Sequence, residues 1–114
     1  MPLEKRTRVE VFLPIRSDAL AYRTVTEWLA EELAFSRGGS TLTTPFSGLY
    51  LSSTDKSLSQ DQVQILFCDF GLNPDDPGDL QELASYLGEL RLLLMEALFE
   101  EDVWIVYYPS TRVL

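Results

Sequence analysis

The sequence contains no histidine, a single cysteine and no long uninterrupted hydrophobic run. Without histidine, the chain cannot build a Ser–His–acid triad, a Cys–His pair or an imidazole metal site from its own residues. Cys68 alone can form no internal disulfide, and an iron–sulfur cluster needs about four thiolates. A membrane span needs roughly 20 consecutive apolar residues, and every apolar block here is shorter. These absences exclude several classes of catalytic, metal-binding and membrane protein.

The composition is that of a folded, acidic domain. The chain has 114 residues, 46% of them apolar, and a formal net charge of −9. This length predicts a single domain over residues 1–114, because domains commonly span roughly 100–150 residues. No apolar segment follows the basic residues near the N-terminus, so no signal peptide is predicted. Together with the single free thiol, this favours a cytoplasmic location.

The charge distribution argues against polyanionic partners. Residues 1–23 hold five basic and three acidic groups, whereas residues 24–114 hold four basic and fifteen acidic groups. Nucleic acids and anionic membrane surfaces are bound through clustered Lys and Arg side chains. The sequence has no long basic stripe of that kind. We therefore expect neither a nucleic-acid partner nor a membrane partner.

Hydrophobic periodicity predicts four strands and two helices. The second strand is interrupted at Pro45, which places it at the edge of a sheet. A polar loop over 52–61 precedes the third strand, and Pro109 is expected to end the last one. The predicted order is strand 8–14, helix 19–35, interrupted strand 41–51, strand 62–68, helix 77–99 and strand 103–108.

The helix ends have recognisable signals. Ser17-Asp18 and Asp76-Pro77 are typical of helix starts, and Gly38 is typical of a helix end. Each helix has one apolar stripe at a spacing of three or four residues. The predicted stripes are Ala21, Val25, Trp28, Leu29 and Leu33 in the first helix, and Leu80, Leu83, Leu87, Leu90, Leu94 and Leu98 in the second.

The order strand, helix, strand, strand, helix, strand predicts an α+β fold. Right-handed crossovers bring both helices to one face of a four-stranded antiparallel sheet. The first and third strands then lie at the centre, and the second and fourth lie at the edges. This is the ferredoxin-like two-layer sandwich, βαββαβ.

A local pattern adds a resemblance to a known family. Arg37-Gly38-Gly39-Ser40-Thr41 is followed by Gly48-Leu49-Tyr50. This arrangement resembles the Gly-x-Thr then Gly-x-aromatic pattern of a family of uncharacterised bacterial ferredoxin-like domains of unknown function. The resemblance implies the same fold and an oligomer, but it implies no reaction.

Excess apolar side chains predict a contact surface. In a two-layer domain one sheet face has no helix over it, and large exposed apolar patches usually mark interfaces or ligand sites. The open face is expected to carry Phe12, Leu66, Cys68, Trp104, Val106 and Tyr108, and the second half of helix two is apolar on nearly every side. Loops or terminal segments covering this face would be the simpler explanation. The residues predicted to lie at an interface are Phe12, Leu66, Leu93, Phe99, Trp104, Val106 and Tyr108.

Other candidate sites have simple structural explanations. A polar cleft can be formed by Arg37, Thr41, Thr43, Thr44 and Tyr50, although a helix cap explains the glycines between them. Asp76 and Asp79 suit helix capping better than calcium binding, because the EF-hand spacing is absent. Cys68 suits a structural core thiol better than a nucleophile.

The sequence therefore favours a small homo-oligomeric binding domain, with a dimer as the expected assembly. Its partner is another protein or a small ligand. No catalytic residue, metal or cofactor is predicted. The alternative is an enzyme or ligand-binding protein of the dimeric α+β barrel type, with a pocket between two sheets. In that case Tyr50, Arg8, Arg16, Asp69 or Tyr107 would supply the polar groups.

Overall fold

A computed structural model of the chain describes residues 2–15, 19–52 and 54–114, apart from the side chains of Ala19 and Tyr50. It contains five strands and two helices, and the predicted second strand is divided into two short strands at Pro45. The elements in chain order are β1 (Leu3–Pro14), α1 (Ala19–Arg37), β2 (Thr41–Leu42), β3 (Phe46–Leu51), β4 (Leu58–Phe70), α2 (Pro77–Leu98) and β5 (Ile105–Val113).

The strands form one antiparallel sheet in the order β2-β4-β1-β5, and β3 also pairs with β4. β1 and β4 therefore lie at the centre, while β5 and the interrupted β2–β3 strand lie at the edges. This arrangement confirms the predicted strand order. The chain has the ferredoxin-like α+β fold.

Both helices pack on the same face of the sheet. Alternate residues of β1, namely Val9, Val11 and Leu13, are buried in a core that also contains Leu29 of α1 and Leu83 of α2. A period of two along the strand and a spacing of three or four along each helix bring these apolar side chains into one layer. The main core cluster therefore lies between the helices and one side of the sheet, and Val63 is buried on the other side.

The helix ends agree with their sequence signals where the structure describes them. The Asp76 carboxylate accepts a hydrogen bond from the Asp79 backbone N–H at 2.9 Å, and Pro77 occupies the first helical turn. α1 ends before Gly38, which has a positive φ of 98°. The predicted start at Ser17-Asp18 lies outside the described residues. α2 ends at Leu98, with Phe99 in the left-handed region.

β5 does not end at Pro109, so the prediction there was wrong. The Phe12 N–H donates to the Trp104 carbonyl, and the Leu114 N–H donates to the Pro2 carbonyl. Even-numbered residues of β5 therefore turn their backbone groups toward β1, and Pro109 turns its nitrogen toward the free edge. A proline there removes no hydrogen bond between β5 and β1, so the strand continues to Val113.

Two other features differ from the prediction. β4 begins at Leu58, so much of the expected polar loop belongs to a long β3–β4 hairpin. Trp28 and Leu80 are exposed rather than part of the helical stripes. The buried stripe of α1 passes instead through Tyr22, Thr26 and Leu29, and that of α2 begins at Leu83. Among the described residues, neither helix is long and apolar enough to cross a membrane.

Candidate functional site

The face of the sheet opposite the helices carries an apolar patch. Val103 is buried in the core, so Trp104, Val106 and Tyr108 face the other way along the last strand. Trp104 is 61% exposed and Tyr108 is 43% exposed. We call the following residues the open-face patch: Phe12, Ile65, Phe67, Trp104, Val106 and Tyr108.

The predicted placement of Leu66 and Cys68 on this face was wrong. Both are buried between the sheet and the helices. β4 pairs Val11 with Leu66 and Val9 with Cys68, so these two side chains share the helix-facing side of β1. Ile65 and Phe67 occupy the open face instead, where both are half-buried. Leu66 therefore belongs to the core and not to a surface that a partner can contact.

The opposite end of the open face is polar. Arg8 Nη1 lies 3.4 Å from Asp69 Oδ1, and Arg6 Nε lies 3.9 Å from Asp69 Oδ2. The Arg8 guanidinium also lies over the Phe67 ring, 5.2 Å from its centroid. The cross-strand pairs Arg8–Asp69 and Arg8–Tyr108 bring these side chains together from three strands. The sequence analysis named Arg8 and Asp69 among possible polar groups without placing them together. The register of β1 and β4 shows that they are cross-strand neighbours.

This polar end contains a shallow depression of about 390 Å³. Tyr108 donates a hydrogen bond to Glu10 Oε1 at 3.2 Å beside it. Arg6 binds Glu4 across the same face. The lining residues of the depression are Arg8, Asp69, Tyr108, Ser110, Thr111 and Arg112. On the open face it therefore has two guanidinium groups, one carboxylate and the hydroxyls of Tyr108 and Ser110.

A second depression, of about 350 Å³, lies between α1 and the β2 edge. The Tyr22 hydroxyl donates to Gln64 Oε1 at 2.8 Å, and Gln64 Nε2 donates to the Thr43 carbonyl at 3.0 Å. Burial raises the pKa of Tyr22, with a smaller opposing effect from the nearby Thr26 hydroxyl. Tyr22, Gln64 and Thr43 are paired with one another, whereas Thr26 Oγ1 is buried with no hydrogen-bond partner among the described residues. Leu42 and Ile15 supply apolar walls.

The predicted polar cleft is not assembled as expected. The Arg37 guanidinium packs against the edge-to-face pair of Phe70 and Tyr86 rings, with its central carbon 4.4 Å and 4.7 Å from their centroids. Thr43 is used by the sheet, because its hydroxyl accepts from the Ile65 N–H at 3.0 Å.

Thr41 and Thr44 are exposed, the first in β2 and the second in the β2–β3 connection. The Tyr50 side chain lies outside the described part of the structure. Neither described depression is lined by Arg37, Thr41, Thr43, Thr44 or Tyr50.

Cys68 is a buried, protonated thiol. Its Sγ donates to the Gly39 carbonyl at 3.3 Å. Burial, with a smaller opposing effect from Arg37, raises the pKa of Cys68 to about 11. A thiol that remains protonated at neutral pH is a poor nucleophile. The structural interpretation of this cysteine agrees with its surroundings.

The remaining interface candidates lie on the helical layer. Leu93 is exposed on α2, and Phe99 is 88% exposed directly after it. Tyr107, named for the alternative function, lies on the helix-facing side of β5, whereas Arg16 is outside the described residues.

Within residues 2–15, 19–52 and 54–114, no group of three or more Cys, Asp or Glu side chains is placed to hold a metal ion.

Comparisons with known proteins identify no family. No family model matches the chain, and no curated protein matches it. Among solved structures, CPII from Thiomonas intermedia K12, bound to ADP, AMP and acetate, gives a TM-score of 0.49 at 15% sequence identity. That alignment covers 100% of this chain and 94% of the other. A similarity of this size identifies no ligand, partner or activity for this chain.

Proposed function

We propose that this chain is a homo-oligomeric binding domain whose subunits contact each other through the open-face patch. The observation that supports the proposal is the exposure of Trp104 and Tyr108 beside Phe12, Phe67 and Val106 on a sheet face that has no helix over it. Contiguous apolar surface of this kind usually marks a contact site.

The charge of each surface favours a second copy on this face. The outer helical surfaces carry exposed carboxylates at Glu27, Glu31, Glu82, Glu89 and Glu96. Two copies of a chain with net charge −9 would repel each other there. On the open face, three arginines and three carboxylates balance instead: Arg6, Arg8, Arg112, Glu4, Glu10 and Asp69.

An isologous contact also requires a surface that matches itself. The open face combines an apolar patch with paired charges of both signs, so two copies can bury apolar surface without leaving a net charge unpaired. We favour a dimer, because a two-fold contact closes with one such surface per subunit. The cytoplasm remains our proposed location.

Light scattering coupled to size-exclusion chromatography tests this proposal at micromolar concentration. We expect a mass well above the 13.0 kDa of one chain. Trp104→Ser and Phe67→Ser should lower the mass to that of a monomer while the fold is retained. Leu93→Ser is the matched control, because it removes a similarly exposed apolar side chain from α2.

Two results would contradict the open-face contact. One is a wild-type chain that remains monomeric across this concentration range. The other is an oligomer that dissociates on Leu93→Ser but not on Trp104→Ser, which would place the contact on the helical layer.

A second candidate function is a small-ligand-binding protein of the dimeric α+β barrel type. The observation that favours it is the polar depression around Arg8 and Asp69, which lies at the margin of the patch. A crystal structure of the oligomer would distinguish the two. An enclosed cavity between facing sheets would favour ligand binding, and a closely packed contact would favour simple association.

A further inference from the structure

We infer that the polar depression on the open face is a binding site for a small oxyanion, that is, a phosphate or carboxylate group. Its cationic side chains are Arg8 and Arg112, and the hydroxyls of Ser110 and Tyr108 lie between or beside them on the same face. The arginine fork matches the geometry of carboxylates and phosphates.

The Arg112 guanidinium gives the strongest support for an anion site. Its cross-strand neighbour is Glu4, but the Glu4 carboxylate binds Arg6 instead. Within the described part of the chain, Arg112 forms no ion pair. The structure thus leaves an exposed guanidinium unpaired in a chain with twice as many acidic as basic groups.

Arg8 is only partly engaged. A guanidinium carries five N–H donors, and Arg8 gives Asp69 one contact of 3.4 Å. Asp69 is also shared with Arg6, whose Nε is buried and has no hydrogen-bond partner among the residues that the structure describes. The donors that remain on Arg8 and Arg112 lie in one depression with the Ser110 hydroxyl, which can also donate to an oxyanion.

Local charge decides whether an anion can enter. Arg6 pairs with Glu4 and Asp69, and Glu10 accepts from Tyr108, so the charges immediately around the depression balance. Within the described part of the chain, the guanidinium donors that stay available to an anion are those of Arg112 and the remaining donors of Arg8. Exposed charges more than about 8 Å away are largely screened at physiological ionic strength, so the excess carboxylates on the outer helical surfaces oppose binding only weakly.

An NMR titration of the full-length, ¹⁵N-labelled chain at pH 7 and constant ionic strength tests the site. Inorganic phosphate is the first probe and succinate is the second, each compared with sodium chloride. We expect saturable shifts in the amides of Arg8, Ser110 and Arg112. Saturation by phosphate alone would support a phosphate-bearing ligand, and saturation by succinate alone would support a carboxylate.

Matched variants test the assignment. Arg112→Gln should weaken binding at least about tenfold, since a hydrogen bond to a charged group is lost. Arg23→Gln removes the same charge from the exposed surface of α1 and should change the affinity less than twofold. Ser110→Ala should give an intermediate loss.

The inference is overturned if neither probe gives saturable shifts, if the shifts map to α1, or if Arg23→Gln weakens binding as much as Arg112→Gln does. Its outcome is separate from that of the proposed oligomer. Trp104→Ser should lower the mass of the particle and leave phosphate binding intact, whereas Arg112→Gln should weaken phosphate binding whatever the mass of the particle.

Discussion

Adjacent residues of β4 should respond in opposite ways to truncation. Leu66 is fully buried between the sheet and the helices, whereas Phe67 is half-buried on the open face. Leu66→Ala and Phe67→Ala therefore test the side-chain orientation of this strand with two neighbouring substitutions. The first should reduce stability, and the second should reduce self-association.

The magnitude follows from burial. Leu66 has no exposed surface, and replacing a buried leucine with alanine costs about 2–5 kcal/mol because a cavity remains. A loss of about 3 kcal/mol in a chain of this length lowers the melting temperature by roughly 12 °C. Phe67→Ala should cost about 1 kcal/mol in the monomer, since half of its environment is solvent.

Urea unfolding measures the first effect, and sedimentation velocity measures the second. Unfolding should be followed at a concentration low enough for the subunits to be separate, because association adds to apparent stability. The side-chain orientation of β4 would be refuted if Leu66→Ala cost less than about 1 kcal/mol, or if Phe67→Ala were the more destabilising of the two.

Three further predictions concern local interactions. The pKa of Cys68 is raised to about 11, so it is higher in the folded than in the unfolded chain. The contribution of this thiol to the free energy of unfolding should be present below pH 9 and lost as the pH rises toward 11. Cys68→Ala should flatten that decline in urea titrations. Arg37→Gln should lower the free energy of unfolding by about 1–2 kcal/mol in the same assay, because the guanidinium packs against two aromatic rings. An unchanged midpoint would exclude that contribution. Asp76→Ala should cost about 1 kcal/mol by removing the α2 N-cap, whereas Asp76→Asn should retain most of the stability.

The hydrophobic periodicity of the sequence was sufficient to predict the architecture of the fold. The two helices, the capping at Asp76 and the central position of the first and third predicted strands follow from apolar spacing and turn residues, and the structure confirms them. Pro45 also correctly marked an interrupted edge strand. These features depend on local sequence, so they can be predicted without knowledge of the strand register.

The orientation of β4 could not be predicted in the same way. Ile65, Leu66, Phe67 and Cys68 are all apolar, so alternation does not distinguish the two faces there. A glutamine in an otherwise apolar strand is expected to face solvent. Gln64 lies instead on the helix-facing side of the sheet, where its amide forms hydrogen bonds with the Tyr22 hydroxyl and the Thr43 carbonyl. A half-buried polar side chain whose amide is hydrogen-bonded in this way reverses the pattern expected from hydropathy.

Predicting the polar depression requires the strand register even more strongly. Arg8 and Asp69 are 61 residues apart, and their contact requires the exact pairing of β1 with β4. Arg112 was absent from the predicted site because β5 was expected to end at Pro109. Only the direction of the proline nitrogen, set by the hydrogen bonds between β5 and β1, allows the strand to reach Arg112.

Trp104 fluorescence tests the central claim most directly. The chain has two tryptophans, so Trp28→Phe leaves Trp104 as the single emitter on the open face. If subunits meet there, emission should be blue-shifted and protected from acrylamide at micromolar concentration. On dilution it should shift to the red in parallel with the fall in mass. A Trp104 that is fully accessible to acrylamide while the chain is oligomeric would contradict the open-face contact.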